Sequence, residues 1–126
     1  MTKKTYSRAD YLAFADDHTV DFFYRCISEL ERIVSEQGWQ LDKYFQSQWC
    51  SFKPNEDGLA VFGVAFESGK GRVYLYIKRI EPDVSHLEQW ARFNKRYDQL
   101  EFLIEPRGAR LEAFLPLLDK AYRFLG

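Results

Sequence analysis

The chain has 126 residues and a mass of 15.0 kDa, one domain's worth, and the natural division is a single domain over 1–126 with residues 1–18 as a loosely attached N-terminal segment. Its 11 Phe, 8 Tyr and 3 Trp make 17% of the residues, which excludes a disordered chain. Lys plus Arg number 18 against 19 Asp plus Glu, for a net charge of −1, and no segment is one-signed. That balance argues against a dedicated DNA binder, although it leaves room for a local basic face.

No apolar run reaches the length of a membrane span, and Met1-Thr2-Lys3-Lys4-Thr5 leads into no signal-type apolar core. A cytoplasmic protein with no membrane partner is therefore expected. Cys26 and Cys50 stand 24 positions apart inside apolar patterns and form no Cys-x-x-Cys pair. Buried thiols are the expectation.

In chain order, Ser7 and Asp10 have capping-box spacing and predict one or two helical turns. From Thr19 to Gln37, Val20, Phe23, Tyr24, Ile27, Leu30 and Val34 keep the spacing of one helix face. Thr19 is the expected N-cap and Gly38 the terminating glycine. Tyr44 to Phe52 reads as an aromatic strand, closed by the loop Lys53 to Gly58. Leu59 to Glu67 and Arg72 to Ile80 read as two strands of a hairpin turning at Ser68-Gly69-Lys70-Gly71. That turn lacks the Gly-Lys-Ser/Thr continuation and following helix of a phosphate loop.

After Glu81-Pro82-Asp83, the Ser85 and Glu88 spacing opens a possible helix running toward Tyr97. Gln99 to Ile104 reads as a short strand. Leu111 to Leu125 reads as a helix that begins only a few residues before Pro116, because proline breaks a hydrogen bond in a helix interior. The sum is an α+β domain: an N-terminal helix, an antiparallel meander of about four strands and a C-terminal helix, with the helices mainly on one sheet face.

Within Arg72–Lys78 the residues alternate. Val73, Leu75 and Ile77 belong to the core face, whereas Arg72, Tyr74, Tyr76 and Lys78 form an aromatic, basic-flanked face. Trp49 or Phe52 would lie next to it if the strands pair as expected. Such a face suits a protein partner or a second copy of the chain, where Trp and Tyr are enriched. Single-stranded nucleic acid is the alternative, because aromatics beside Arg and Lys stack bases and neutralise phosphates. Ordinary cross-strand packing with a solvated charged rim accounts for the same residues.

Enzyme chemistry has little to draw on. His18 and His86 are the two histidines, at no metal-ligand spacing from the cysteines, and no metal or cofactor is expected. A thiol nucleophile with one of them, or a nuclease site from Asp57, Glu67 and Lys70, is the less favoured reading.

The stretches Tyr44–Phe52, Gly71-Arg72-Val73-Tyr74-Leu75-Tyr76-Ile77-Lys78 and Leu111–Tyr122 together resemble a family of small bacterial α+β domains of unknown function. Its members are labelled predicted transport proteins, and the domain also occurs appended to nuclease-like domains. The resemblance covers roughly Lys43 to Leu125 in layout and hydrophobic pattern, and it implies a fold without an established activity. The segment Val84 to Asp98 is longer and more charged than the corresponding connection in that family.

Overall fold

The computed structural model describes residues 6–13, 15–67, 72–79, 91–104 and 111–125. The architecture is α+β, as the hydrophobic patterns predict. Helices α1 (Arg8–Leu12) and α2 (Asp17–Gln37) precede strands β1 (Asp42–Phe45), β2 (Trp49–Lys53), β3 (Phe62–Glu67), β4 (Arg72–Lys78), β5 (Ala91–Asn94) and β6 (Gln99–Ile104). A 3₁₀ turn over Leu111–Phe114 then leads into helix α3 (Leu115–Leu125). The strands form one antiparallel sheet in the order β1-β2-β3-β4-β6-β5.

Local chemistry sets the helix ends. Ser7 and Asp10 form the capping box of α1, with the Ser7 amide donating to Asp10 Oδ2 at 2.8 Å. Helix α2 starts earlier than Thr19: Asp16 is the N-cap, and its carboxylate accepts from the Thr19 amide at 2.7 Å. A carboxylate at a helix N-terminus also meets the positive end of the macrodipole, so Asp16 outcompetes Thr19. At the other end Gly38 takes φ +70°, and the Trp39 amide reaches back to the Val34 carbonyl at 3.1 Å. This is a Schellman closure, for which glycine is the unstrained choice. Pro116 sits in the first turn of α3, where its missing N–H leaves no interior bond unmade.

Two expectations about the sheet change. Tyr44 to Phe52 is not one strand but the hairpin of β1 and β2, closed where the Gln46 amide donates to the Trp49 carbonyl at 2.7 Å. The polar run Gln46-Ser47-Gln48 makes the turn, and the sheet gains an edge strand from it. The expected helix toward Tyr97 gives way to β5 and a turn over residues 95–98, pairing Asn94 with Gln99. Asp98 closes that turn in the left-handed region at φ 49°, which Asp tolerates better than most side chains. The expected capping pair Ser85 and Glu88, and the turn at 68–71, lie outside the described residues. With β1 separate and β5 added, the sheet has six strands where about four are predicted.

Registration sorts the sheet into two faces. Phe45, Cys50, Phe52, Phe62, Val64, Phe66, Val73, Leu75, Ile77, Leu100, Phe102 and Ile104 share one face by cross-strand pairing. On this face Phe66 stacks on Phe23 of α2 with ring centroids 4.2 Å apart, and Phe102 meets Phe114 at 4.6 Å. Trp39 lies between Phe62 (6.0 Å) and Tyr122 of α3 (5.2 Å). The described helices therefore cover the same side of the sheet.

Tyr11 anchors helix α1 in the core. Tyr11 is fully buried, its ring 5.1 Å from Phe23 and 5.5 Å from Phe66, and its hydroxyl donates to the Gln46 carbonyl at 2.7 Å. It thus ties α1 both to the core and to the β1–β2 turn. Tyr11→Phe should lower stability by about 1 kcal/mol for the lost hydrogen bond, and Tyr11→Ala by about 3–5 kcal/mol for the cavity as well. Urea unfolding of the two variants measures both terms.

Candidate binding surface on the second sheet face

The second sheet face carries the residues left by the alternation. Across its middle, cross-strand pairing sets Tyr44, Ser51, Gly63, Tyr76, Glu101 and Arg92 in a row. One step along the strands, Trp49, Ala65, Tyr74 and Leu103 form the neighbouring row. Arg72, Tyr74, Tyr76 and Lys78 do share this face, and Trp49 joins them. Phe52 does not: it pairs with Phe62 on the helix side and is 1% exposed. Trp49 and Phe52 are three positions apart, an odd step, so a period of two sends them to opposite faces.

The four β4 residues differ in what they offer. Arg72 is exposed and Tyr74 half-buried, whereas Tyr76 is buried at 4% exposure. The Tyr76 ring lies across β3 above Gly63, and its hydroxyl is 2.6 Å from Ser51 Oγ. A Cβ built on Gly63 would lie under 3.0 Å from the Tyr76 ring, its hydroxyl and the Cys50 carbonyl oxygen. Only glycine admits that crossing. Burial holds the Tyr76 phenol well above its ordinary pKa, so it stays protonated, and the bond to Ser51 only partly opposes this.

Around this closed centre the face is open at its flanks. Trp49 is 40% exposed and Tyr97 52%. With Tyr74, Tyr76, Lys78, Ser51, Ala65 and Gln99 they line a hollow of about 320 Å³. Lys78 reaches to one end, where its ammonium donates to the Tyr97 carbonyl at 2.7 Å and sits 5.8 Å from that ring's centre. Burial, and then the adjacent Arg79, lower the Lys78 pKa. The Arg96 guanidinium lies on the Tyr97 ring at 5.3 Å. Beyond Tyr76 the face is polar but closed: Glu101 is 3% exposed and accepts from Gln99 at 2.6 Å and Asn94 at 3.2 Å.

Ser51 and Gln99 carry no sequence signal of a place in this hollow. Tyr97 belongs to a basic-aromatic run with Arg92, Lys95 and Arg96, and it is the β5–β6 turn, not the expected helix, that carries it to the end of β4. The signal present was Asn94 to Asp98, whose Asn and Asp are turn residues.

Among the described residues the enzyme candidates are not assembled. Asp57 is exposed in the loop before β3, and Glu67 lies at the far end of that strand, which spans about 17 Å. Lys70 and His86 lie outside the described residues, and His18 is exposed near the start of α2. Cys26 and Cys50 are both free and buried in the helix-side core, and burial pushes each thiol up to about 12. Among the described residues no three His, Cys, Asp or Glu side chains are grouped to hold a metal ion, and no described helix is long and apolar enough to cross a membrane.

No family model, curated protein or solved structure matches the chain.

Two outcomes check this geometry. Gly63→Ala should destabilise the protein by more than about 2 kcal/mol in urea unfolding, whereas Tyr76→Phe costs about 1–3 kcal/mol by leaving Ser51 without its partner. Since a raised thiol pKa keeps the unreactive protonated form at neutral pH, neither cysteine should react with iodoacetamide in the folded protein. Both should react once urea is added; labelling of either thiol in the native state would contradict the burial.

Proposed function

We propose that this chain is a non-enzymatic binding module whose second sheet face, which no described helix covers, receives a segment of a partner protein. The observation that supports it is one hollow lined by Trp49, Tyr74, Tyr97 and Lys78. Exposed Trp and Tyr rings supply large contact area at low cost in side-chain freedom, and they dominate protein interfaces for that reason. Trp49 and Tyr97 are open to solvent, and Ser51 and Gln99 add polar groups among the rings.

Single-stranded nucleic acid is the second reading, favoured by Lys78 and Arg96 at the Tyr97 ring. It is weakened by Tyr76, whose buried ring has no free face for a base. A cytoplasmic setting, and membership of the small bacterial α+β domains that the layout resembles, belong to the same proposal.

Display selection with a random peptide library distinguishes the readings. The native protein should enrich a recurring sequence pattern that the Trp49→Ala, Tyr97→Ala double variant fails to retain, with affinity at least about tenfold lower. Enrichment unaffected by the double variant, or none, removes this face as the protein-binding site. Salt-dependent binding of a labelled oligonucleotide, in the absence of peptide enrichment, puts the nucleic-acid reading in its place. Sedimentation reports whether the occupant is instead a second copy of the chain.

A further inference from the structure

Taking the hollow as the binding site, we propose that its Lys78 end, where Arg79 bonds the carbonyl of the lining residue Ala60, receives carboxylates of an acidic peptide segment. A planar side chain of the same segment would lie against Trp49 and Tyr97.

Four observations support this. First, the ion pairs between described residues all involve a helix residue: Arg8 with Asp17 and Asp21, Arg32 with Glu29, Glu36 and Glu112, Lys43 with Glu31, and Arg123 with Asp119. Lys78 and Arg79 have no carboxylate partner of this kind. Their side chains donate to carbonyl oxygens instead, Lys78 to Tyr97 and Arg79 to Ala60 at 2.5 Å. An ammonium has three donors and a guanidinium five, so both retain capacity for an anion.

Second, Arg79 Nε is buried and meets no acceptor. A buried donor without a partner is a standing penalty within the fold.

Third, Arg79 takes φ 56°, a left-handed conformation that suits glycine and strains a long side chain. The Asp98 carbonyl fixes this geometry by accepting from the Arg79 amide at 2.9 Å. A strained arginine beside a second cation is the kind of local conflict that ligand sites retain.

Fourth, cations outnumber acids here: Lys95 and Arg96 are exposed on the turn that carries Tyr97, against Asp98 on that turn and the buried Glu101. Burial disfavours the charged form of both Lys78 and Arg79, and Arg79 adds to this at Lys78, more than Asp98 and Glu101 offset it.

A peptide fits these cations better than a nucleic acid does. A phosphate chain draws its affinity from many contacts along a basic track, whereas the net charge here is −1 and the described lining of the hollow carries one cation, Lys78.

The test is fluorescence anisotropy with three labelled probes: a peptide alternating Glu and Tyr, the same peptide with Gln for every Glu, and an oligo-dT strand. The acidic peptide should bind at low salt, and the Gln peptide should bind at least about tenfold more weakly, the loss expected for charge-assisted hydrogen bonds. Lys78→Met and Arg79→Gly should each weaken the acidic peptide by about fivefold or more. Arg79→Gly keeps the fold because its φ suits glycine, and an unchanged far-ultraviolet dichroism spectrum confirms this; Lys78→Met provides an independent reading.

Equal binding of the Gln peptide, unchanged affinity in both variants, or no binding of the acidic peptide at low salt overturns the proposal. Tighter binding of oligo-dT than of the acidic peptide overturns it in favour of nucleic acid. If peptide display returns neutral sequences that depend on Trp49, the binding-module reading stands and the acidic preference falls. If display returns nothing, the module reading fails on its own evidence.

Discussion

The crossing of Tyr76 over Gly63 is the constraint on which the second sheet face depends. A side chain at position 63 would meet both the Tyr76 ring and the neighbouring strand's carbonyl, so the ring can lie flat only over a glycine. Laid down this way, Tyr76 brings its hydroxyl to Ser51 on β2 and ties β2 to β4 across β3. It fills the middle of a face that no described helix covers. The flanking rings of Trp49 and Tyr97 are left standing, which turns a flat sheet into a hollow. Mutual satisfaction of the two hydroxyls makes the crossing tolerable, since a buried polar group without a partner carries a penalty of about 1–3 kcal/mol.

The helix layer imposes the opposite order. Its packing is carried by aromatic rings from three elements converging on β3, where Phe66 meets both Phe23 and Tyr11. Those rings fix the sheet's twist and register, because a one-residue slip of β3 would exchange Phe62, Val64 and Phe66 for Gly63, Ala65 and Glu67. The small residues Gly63 and Ala65 then fall on the other face, where Gly63 lies beneath the Tyr76 ring and Ala65 lines the hollow. One alternation in one strand thus specifies both the core and the place where a ligand fits.

Much of this is legible in the sequence, and the reasons for the exceptions are physical. Helix α2 and its Gly38 stop are visible because an amphipathic stripe and a left-handed cap are local properties. The β3 and β4 strands are visible because their alternation is strong. The β1–β2 hairpin is concealed by composition: Tyr44, Phe45, Trp49 and Phe52 read as one aromatic run, and only Gln46-Ser47-Gln48 marks the turn. Segment 91–98 conceals its nature differently. Its apolar and polar residues fit a helical period about as well as a strand, and β5 exists because β6 offers it an edge. Propensity carries no information about such a non-local partner. The site follows the same division. Arg72, Tyr74, Tyr76 and Lys78 could be placed on one face from their own strand. Which of them stays open could not, because the burial of Tyr76 depends on Gly63 and Ser51 in other strands.

Overall charge conceals the same kind of asymmetry. A net charge of −1 describes a chain in which the helix layer pairs its cations with nearby carboxylates, whereas Lys78 and Arg79 are bonded only to carbonyl oxygens. Exposed ion pairs contribute little stability each, about 0–1 kcal/mol, so the helix-side pairs matter less for holding the fold than for neutralising one side of it. Lys78 lies beside the ring of Tyr97, where partial burial weakens the screening that solvent would otherwise provide. The described aromatic residues divide in a similar way: most make the core, whereas Trp49, Tyr74 and Tyr97 line the hollow with Lys78. The sheet separates a self-satisfied side from an unsatisfied one, and Gly63, by admitting Tyr76, gives the unsatisfied side its shape.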